Sequence, residues 1–302
     1  YVDPNHERVA YISDQEIDEQ KELYVIPLRG GTSTKLNPPL LEGRDVYDMQ
    51  FAPNGNHIVY RSDQETQNVG ALYSVAPTGG STINISGAPP EGSSVFRYRI
   101  SPDSKWVVYD YEKRPFDEYG LMSTPIDKSN PVSLTPPSQA NGYVGTSYAF
   151  TPDSQRVIYS LESRADGHRN IYSVPIQGGT VVTLTMPQAA NETVAYFSLS
   201  PDGQHVLYMM VSNGRFVRYN SVPVTGGESI TLWQEEQKTL NAFDTHQVRS
   251  MVSPDGSKVL ILANNFVSQT YQLYLTSITG GDPLLLSSSS ETEGEQSTLQ
   301  YA

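Results

Sequence analysis

A pattern of short strands and tight turns recurs six times along this chain. In each copy apolar residues alternate with polar ones before a proline, as Met49 and Phe51 do before Pro53. A short polar turn then leads into a stretch rich in β-branched and aromatic side chains, such as residues 57–60. Alternation with a period of two, followed by β-branched and aromatic residues, predicts two strands joined by a tight turn.

The copies are evenly spaced. Their prolines stand at positions 4, 53, 102, 152, 201 and 254, so the steps are 49, 49, 50, 49 and 53 residues. A second phrase, LYVIPLRGG at 23–31 in the first copy, ends in a Gly pair in five copies and predicts a hairpin between third and fourth strands. The third copy has Lys128 and Ser129 at the Gly pair, which predicts a different turn there.

A period near 50 residues with four strands in each unit predicts an all-β propeller or array. The predicted repeats are 1–46, 47–95, 96–145, 146–194, 195–247 and 248–296, with 297–302 left over.

The Asp or Asn that follows each proline has a structural interpretation. Its side chain can accept a backbone N–H within its own turn, and proline fixes φ for that turn. A catalytic site needs one unique set of residues, so six equal copies argue for turn clamps and against catalysis.

The phrase S/T-P-D-G/S-x-x-I/V-x-Y/F, together with LYxxPxxGG, resembles the WD-like repeat of TolB-type six-bladed β-propellers. The resemblance covers essentially the whole chain, although Asn5 and Asn54 replace Asp in the first two copies. It implies a single propeller domain over residues 1–302, with blades of four antiparallel strands around a central channel.

The two ends of the chain complement one another. Residues 297–302 match the first strand of a seventh copy whose other three strands are missing, and the first copy has almost no first strand. We therefore expect 297–302 to complete the first blade as its innermost strand and to close the ring.

The composition of the chain limits the classes of partner and the cellular locations that can be expected. The chain has 33 Asp and Glu, 20 Lys and Arg and a net charge of −13, with no basic stripe, so nucleic acid is not an expected partner. No apolar run approaches the length of a membrane span, and there are no cysteines. We expect a monomer in the bacterial periplasm or outside the cell, because an exported protein can dispense with thiols.

Candidate binding residues follow from the blade geometry. In this order the Pro-Asp and Gly-Gly turns lie on one face, and the longer, variable loops lie on the other, where binding usually resides. The residue five positions before each proline from Pro53 onward, or before position 303 where a seventh copy would have its proline, is expected near the channel mouth. These residues are Asp48, Arg97, Ser147, Tyr196, Arg249 and Thr298. The two arginines either hold an anion or a partner's carboxylate or form structural ion pairs with Asp48 and other carboxylates, and we favour the ion pairs.

The longest variable loop, residues 233–248, accounts for the 53-residue step. It carries Trp233, Phe243 and His246, which either anchor a partner or pack as a lid on the blade.

Enzymatic signatures are missing from the sequence. It contains no nucleophile elbow, zinc-protease motif or phosphate loop, and its five histidines form no evident ligand set. We predict no cofactor, although the carboxylates of residues 13–22 and 291–295 would suit a calcium ion.

The expected function is a non-catalytic propeller that binds a protein or peptide. The alternatives are a substrate-gating propeller of a larger peptidase or amidohydrolase, and a carbohydrate-binding or carbohydrate-active propeller.

Overall fold

A computed structural model describes most of the chain. The described residues are 1–87, 93–113, 118–135, 143–163, 167–212, 215–234, 249–265 and 270–290. Within these ranges the chain is all-β, without a helix, and its strands form six antiparallel sheets. In each sheet the strands lie in chain order.

The strand bounds repeat the same plan in each sheet. Sheet 1 contains β1 (Arg8–Ser13), β2 (Glu22–Pro27) and β3 (Thr34–Lys35). Sheet 2 contains β4 (Val46–Phe51), β5 (Ile58–Ser62), β6 (Ala71–Val75) and β7 (Ile83–Asn84). Sheet 3 contains β8 (Ser93–Ile100), β9 (Trp106–Lys113), β10 (Glu118–Pro125) and β11 (Val132–Ser133).

The remaining sheets each have four strands. Sheet 4 contains β12 (Tyr143–Phe150), β13 (Arg156–Glu162), β14 (Arg169–Pro175) and β15 (Val182–Thr183). Sheet 5 contains β16 (Glu192–Leu199), β17 (His205–Ser212), β18 (Arg215–Pro223) and β19 (Ile230–Gln234). Sheet 6 contains β20 (Arg249–Val252), β21 (Lys258–Asn265), β22 (Thr270–Ser277) and β23 (Leu284–Ser290).

The predicted repeat of antiparallel sheets is confirmed, and six such sheets are consistent with a six-bladed propeller. The chain divides into two compact units, residues 1–165 with 174–181 and residues 166–173 with 182–302. Each unit is described by itself.

In the first unit, both faces of sheet 2 are buried. Ile58 and Tyr60 of β5 belong to a core cluster shared with sheet 1, whereas Val59 belongs to the cluster shared with sheet 3. This explains why β5 is a continuous apolar run, since a strand covered on both faces has no solvent side. In the second unit, Leu207 and Tyr219 of sheet 5 share a cluster with Val259 of sheet 6.

The Pro-Asp turns are hydrogen-bonded as the structural interpretation predicts. Thr151 Oγ1 donates to Asp153 Oδ1 at 2.6 Å, and the same oxygen accepts the N–H of Gln155 at 3.0 Å. The N–H of Arg156 donates back to Thr151 Oγ1 at 3.0 Å. The same network surrounds Asp103, Asp202 and Asp255. These aspartates are therefore turn clamps, as predicted.

Acid should weaken these clamps. Hydrogen bonds, first of all that from Ser253, lower the pKa of Asp255 from 3.8 to about 2. Because the folded-state pKa is lowered, the stabilisation is complete above the ordinary value and is lost as pH falls towards 2. We expect Asp255→Asn to reduce stability at pH 6, with a smaller difference from the unchanged protein at pH 2.5. Urea unfolding at both pH values checks this, with Asp282→Asn as the control. A difference that did not change with pH would contradict it.

The third residue of each Pro-Asp turn is left-handed. These residues are His6, Gly55, Ser104, Ser154, Gly203 and Gly256, with φ between 58° and 73°. Glycine adopts this conformation without strain, but the serines contribute a contact. Ser104 Oγ accepts the N–H of Asn54 at 3.0 Å, and Ser154 Oγ accepts the N–H of Asp103 at 3.1 Å, so each serine ties its turn to the preceding sheet.

Two substitutions at Ser154 distinguish the cost of its left-handed backbone from the stabilisation by its hydrogen bond. Ser154→Ala keeps the left-handed strain and loses the hydrogen bond, so we expect the free energy of unfolding to fall by about 1–2 kcal/mol. Ser154→Gly also loses the bond but relieves strain of roughly 1 kcal/mol, so it should be nearly neutral. Chemical denaturation of both variants measures the difference. An alanine variant as stable as the glycine variant would show that the contact contributes nothing.

The turn at Lys128 and Ser129 differs from its counterparts, as predicted. The Gly pairs of the other five copies have φ between 84° and 133°, whereas neither Lys128 nor Ser129 has a positive φ. Thr124 Oγ1 is within 3.4 Å of both the carbonyl of Lys128 and the N–H of Asn130 in this turn.

Ring closure by 297–302 is not confirmed, because these residues lie outside the described ones. Sheet 1 has three strands and lacks the first strand of the repeat, as predicted, but residues 1–3 do contact the beginning of β1. The N-terminal amine of Tyr1 donates to the carbonyl of Ala10 at 2.8 Å, Val2 forms a bridge with Val9, and the N–H of Asp3 donates to Arg8 at 3.0 Å. Residues 1–3 therefore already pair with the beginning of β1.

Candidate functional site

The candidate site lies at one end of sheets 1 to 3, in the first unit. We call this the loop end: there the first strand of a sheet begins, the second ends and the third begins. Backbone contacts join neighbouring sheets at this end. The N–H of Val46 donates to Lys21 at 2.8 Å, and the N–H of Val95 donates to Gly70 at 2.9 Å. The side chain of Asp45 accepts the N–H of Lys21 at 2.7 Å.

A β-bulge interrupts the first strand of sheets 2 and 3 at the same repeat position. Val46 pairs with Ser62 but Asp48 pairs with Arg61, so Tyr47 is an extra residue. In sheet 3, Phe96 is the extra residue between Val95 and Arg97. Bulges of this kind redirect a side chain, and here they turn the ring outwards. Tyr47 is 40% exposed and Phe96 is 54% exposed. We call these two residues the bulge aromatics.

The bulge also resets which residues face the core. Val46 and Met49 are three residues apart and would point to opposite faces of a regular strand, yet both belong to the same core cluster. Val95 and Tyr98 likewise share one cluster.

Each bulge is held by an ion pair, and the two pairs have opposite polarity. In sheet 2 the Nε and Nη2 of Arg61 donate to Asp48 Oδ2 at 2.9 and 2.7 Å. In sheet 3 the Nε and Nη2 of Arg97 donate to Asp110 Oδ2 at 2.9 and 2.6 Å. The same two repeat positions thus carry aspartate and arginine in one sheet and arginine and aspartate in the next.

Asp110 also holds the backbone of its bulge. Its Oδ1 accepts the N–H of Arg97 at 2.8 Å, and its side chain is only 4% exposed. Burial raises the pKa of Asp110, while the guanidinium and backbone N–H of Arg97 oppose that shift.

The guanidinium groups support the exposed rings. The Cζ of Arg61 lies 5.1 Å from the centroid of the Tyr47 ring, and the Cζ of Arg97 lies 5.5 Å from that of Phe96. Both distances fit cation–π contacts. Arg61 Nη1 also donates to the carbonyl of Val95 at 3.4 Å, which links the two bulges. The result is a pair of aromatic rings on a rigid, charge-paired base.

The loops at the loop end of sheets 1 and 2 are acidic. Residues 13–22, 37–45 and 62–70 contain nine Asp and Glu against two Lys and Arg, a net charge of −7 out of −13 for the chain. Asp63 is buried and accepts the backbone N–H groups of Asp45 and Asn68, both at 2.8 Å. Tyr47 stands two residues after Asp45, whose N–H donates to Asp63, so this bulge aromatic borders the acidic loops. Burial and the nearby carboxylate of Asp63 raise the pKa of Tyr47.

The structure brings only some of the predicted site residues together. Asp48 and Arg97 lie on the first strands of sheets 2 and 3 in the first unit. The favoured interpretation of Arg97 as an ion-pair partner is confirmed, with Asp110 as its carboxylate. Tyr196 lies in the second unit and is 59% exposed. Arg249 begins β20, where its backbone pairs with Leu262.

The long loop is mostly outside the described residues, and Phe243 and His246 lie there. Trp233 belongs to β19, where it pairs with Tyr219 and is half-buried, so the described part of this segment extends a sheet.

Sequence reasoning missed the bulge aromatics and the partners Arg61 and Asp110. The available signal was the valine seven positions before the proline, at 46, 95 and 194. This valine and the apolar residue four positions before the proline are three positions apart. In a regular strand they would face opposite sides, so two apolar residues at this spacing indicate an extra residue between them.

Neither a metal nor a membrane signal emerges from the described residues. They contain no group of three or more His, Asp or Glu side chains arranged to hold a metal. In the acidic loop considered for calcium, Glu16 and Glu22 instead bind Lys35 Nζ at 2.8 and 2.9 Å. Among the same residues there is no helix that could cross a membrane.

Comparison with known proteins shows the class of fold. A protein assigned as a dipeptidyl aminopeptidase IV from Bacteroides ovatus is 16% identical, with a TM-score of 0.56, over 98% of this chain and 47% of its own. An oligogalacturonate lyase in complex with manganese is 14% identical, with a TM-score of 0.51, over 94% of this chain and 74% of its own. A TolB from Acinetobacter baumannii is 17% identical, with a TM-score of 0.40, over 90% of this chain and 61% of its own.

The six antiparallel sheets, together with the likeness to the aminopeptidase and the lyase, are consistent with the predicted six-bladed β-propeller fold. Identities this low show the fold alone. The chain spans about half the length of the aminopeptidase. No protein-family model matches the sequence, and no curated protein does.

Proposed function

We propose that this chain is a non-catalytic propeller that binds a peptide or protein segment at the loop end of its sheets. The observation that carries the proposal is the display of Tyr47 and Phe96, both substantially exposed, on the bulged first strands of sheets 2 and 3. Exposed aromatic rings on a rigid base are typical anchors of protein interfaces, because they bury a large area with little loss of side-chain entropy.

The ion pairs beneath the rings support binding and not chemistry. Arg61 and Arg97 each direct two N–H groups at an aspartate, so both guanidiniums are neutralised and fixed in place. Such groups orient the rings and hold the strands. Following the predicted blade order, we place the partner near the channel mouth, in a ring closed by 297–302. The resemblance to TolB-type propellers favours a location in the bacterial envelope.

Selection of peptides from a random display library on the intact chain tests this function. Peptides that bind should lose affinity about 30-fold or more for the double variant Tyr47→Ala, Phe96→Ala, as expected for central aromatic anchors. The matched control is Leu28→Ala, Ile83→Ala, which removes two exposed apolar side chains from the same unit, 49% and 39% exposed. Selected peptides that bound the aromatic variant as well as the control would refute the proposed surface.

A second candidate is a substrate-gating domain of a larger peptidase. Almost all of this chain, 98%, aligns with a part of the aminopeptidase that makes up 47% of that protein. A propeller domain within a larger peptidase would give such an alignment. A hydrolase domain in the full reading frame would decide for this alternative.

A carbohydrate site is the third candidate, since exposed aromatic rings also stack on sugars. The charge of −7 on the neighbouring loops argues against a polyanionic sugar such as oligogalacturonate. A thermal-shift screen with oligogalacturonate and Mn²⁺ should show no stabilisation; bound ligand at about 100 times its dissociation constant would add about 2.7 kcal/mol.

A further inference from the structure

We infer that the segment bound at the bulge aromatics is cationic, an extended peptide in which Lys or Arg neighbours an apolar residue. The inference rests on the proposed function and names its partner class. It starts from the two exposed rings of Tyr47 and Phe96, which offer apolar surface on the first strands of sheets 2 and 3, where Arg61 Nη1 donates to the carbonyl of Val95.

The arginines of the site do not oppose a cationic partner. Arg61 is paired with Asp48 and Arg97 with Asp110, so each positive charge next to a ring is cancelled by a carboxylate within 2.9 Å. The guanidiniums are also unsuited to capture an anion, because any anion would compete with an aspartate that already accepts two N–H groups. The four charged groups of the two pairs therefore sum to zero.

The charge that remains belongs to the surrounding loops. The segments 13–22, 37–45 and 62–70 carry a net charge of −7, of which Lys35 offsets one unit through Glu16 and Glu22. No Lys or Arg lies within ion-pair distance of Asp45 or Asp63 among the residues that the structure describes. A cationic peptide meets both requirements: its apolar residues cover the rings, and its ammonium or guanidinium groups face the acidic loops.

The test compares three fluorescein-labelled peptides of about eight residues: one alternating Lys and Leu, one with Glu for Lys, and one with Gln for Lys. In roughly 50 mM salt we expect the Lys peptide to bind the intact chain at least about tenfold more tightly than the Gln peptide. In roughly 0.5 M salt that advantage should largely disappear, because added ions screen exposed charges. The Glu peptide should bind most weakly.

Charge variants locate the effect. Asp14→Asn, Asp18→Asn, Glu42→Gln removes three exposed carboxylates from the acidic loops and should weaken the Lys peptide about three- to tenfold at low salt. The control is Asp127→Asn, Glu228→Gln, Asp282→Asn, which makes the same change in net charge at exposed turn positions of sheets 3, 5 and 6 and should have little effect.

The outcomes separate the inference from the proposed function. Equal binding of the Lys and Gln peptides, lost in Tyr47→Ala, Phe96→Ala, would overturn the cationic class and leave the peptide-binding surface standing. Tighter binding of the Glu peptide, or equal loss in the two charge variants, would also overturn it. If none of the three peptides bound and the display library yielded no binder, both the inference and the proposed function would fail.

Discussion

Replacing Asp110 with alanine should lower the free energy of unfolding by about 2–3 kcal/mol, because Arg97 would lose its carboxylate. Asp110 accepts three hydrogen bonds from Arg97, one from the backbone and two from the guanidinium, and its side chain is 4% exposed. The expected loss is below that of a fully buried pair because Arg97 is 35% exposed and water can partly solvate it. Equilibrium urea unfolding measures the change.

The pair of opposite polarity in sheet 2 supplies the matched control. Asp48 receives its two hydrogen bonds from Arg61 side-chain groups, and its side chain is 44% exposed. Asp48→Ala should therefore cost no more than about 1 kcal/mol. A loss at Asp110 no larger than the loss at Asp48 would show that the backbone contact of Asp110 does not hold the bulge.

Asp110→Ala should also weaken peptide binding, since Phe96 would lose the fixed base on which its ring rests. Asp48→Ala leaves Asp110 in place, so the position of Phe96 should persist in that variant. Comparing the affinity of one selected peptide for the two variants separates local disorder of the bulge from a general loss of stability.

The repeat made most of the fold predictable from the sequence. A proline that recurs at almost constant steps shows where each turn lies. The hydrogen bonds of residues such as Asp153 were predictable because they join residues only a few positions apart. Strands such as β5 were predictable because both of their faces are buried, which leaves an uninterrupted apolar run.

The candidate site was less predictable, and the reason is register. Counting back from the Pro-Asp turn along a regular hairpin does place Arg97 opposite Asp110 and Asp48 opposite Arg61, so both pairs were within reach of the sequence. The count does not supply the extra residue that follows, at Tyr47 and at Phe96. One inserted residue reverses the face of every residue beyond it, so a regular strand would place Val95 on the face of Arg97, whereas Val95 packs in the core cluster of Tyr98.

Deletion of residues 297–302 should produce the largest loss of stability if this segment closes the first sheet. Closure would bury Leu299 and Tyr301, each contributing roughly 1.5–3 kcal/mol, and add two or three backbone hydrogen bonds of about 1 kcal/mol each. We therefore expect a loss of at least about 5 kcal/mol and a melting temperature lower by roughly 10 °C or more, since a chain of this size shifts about 2 °C per kcal/mol.

The pairing of residues 1–3 sharpens this prediction. By repeat position, Tyr301 corresponds to Val2, and Val2 already pairs with Val9 of β1. A closing strand must therefore pair farther along β1, towards Ile12, or displace the N-terminus. Removing Tyr1 and Val2 is the informative comparison, because it frees the edge next to Val9 and Ala10. If the tail pairs beside the N-terminus, the two deletions should destabilise additively. If the tail displaces residues 1–3, removing Tyr1 and Val2 should cost little. A melting temperature unchanged by removal of 297–302 would mean that residues 1–3 alone cover this edge and that the tail does not close the ring.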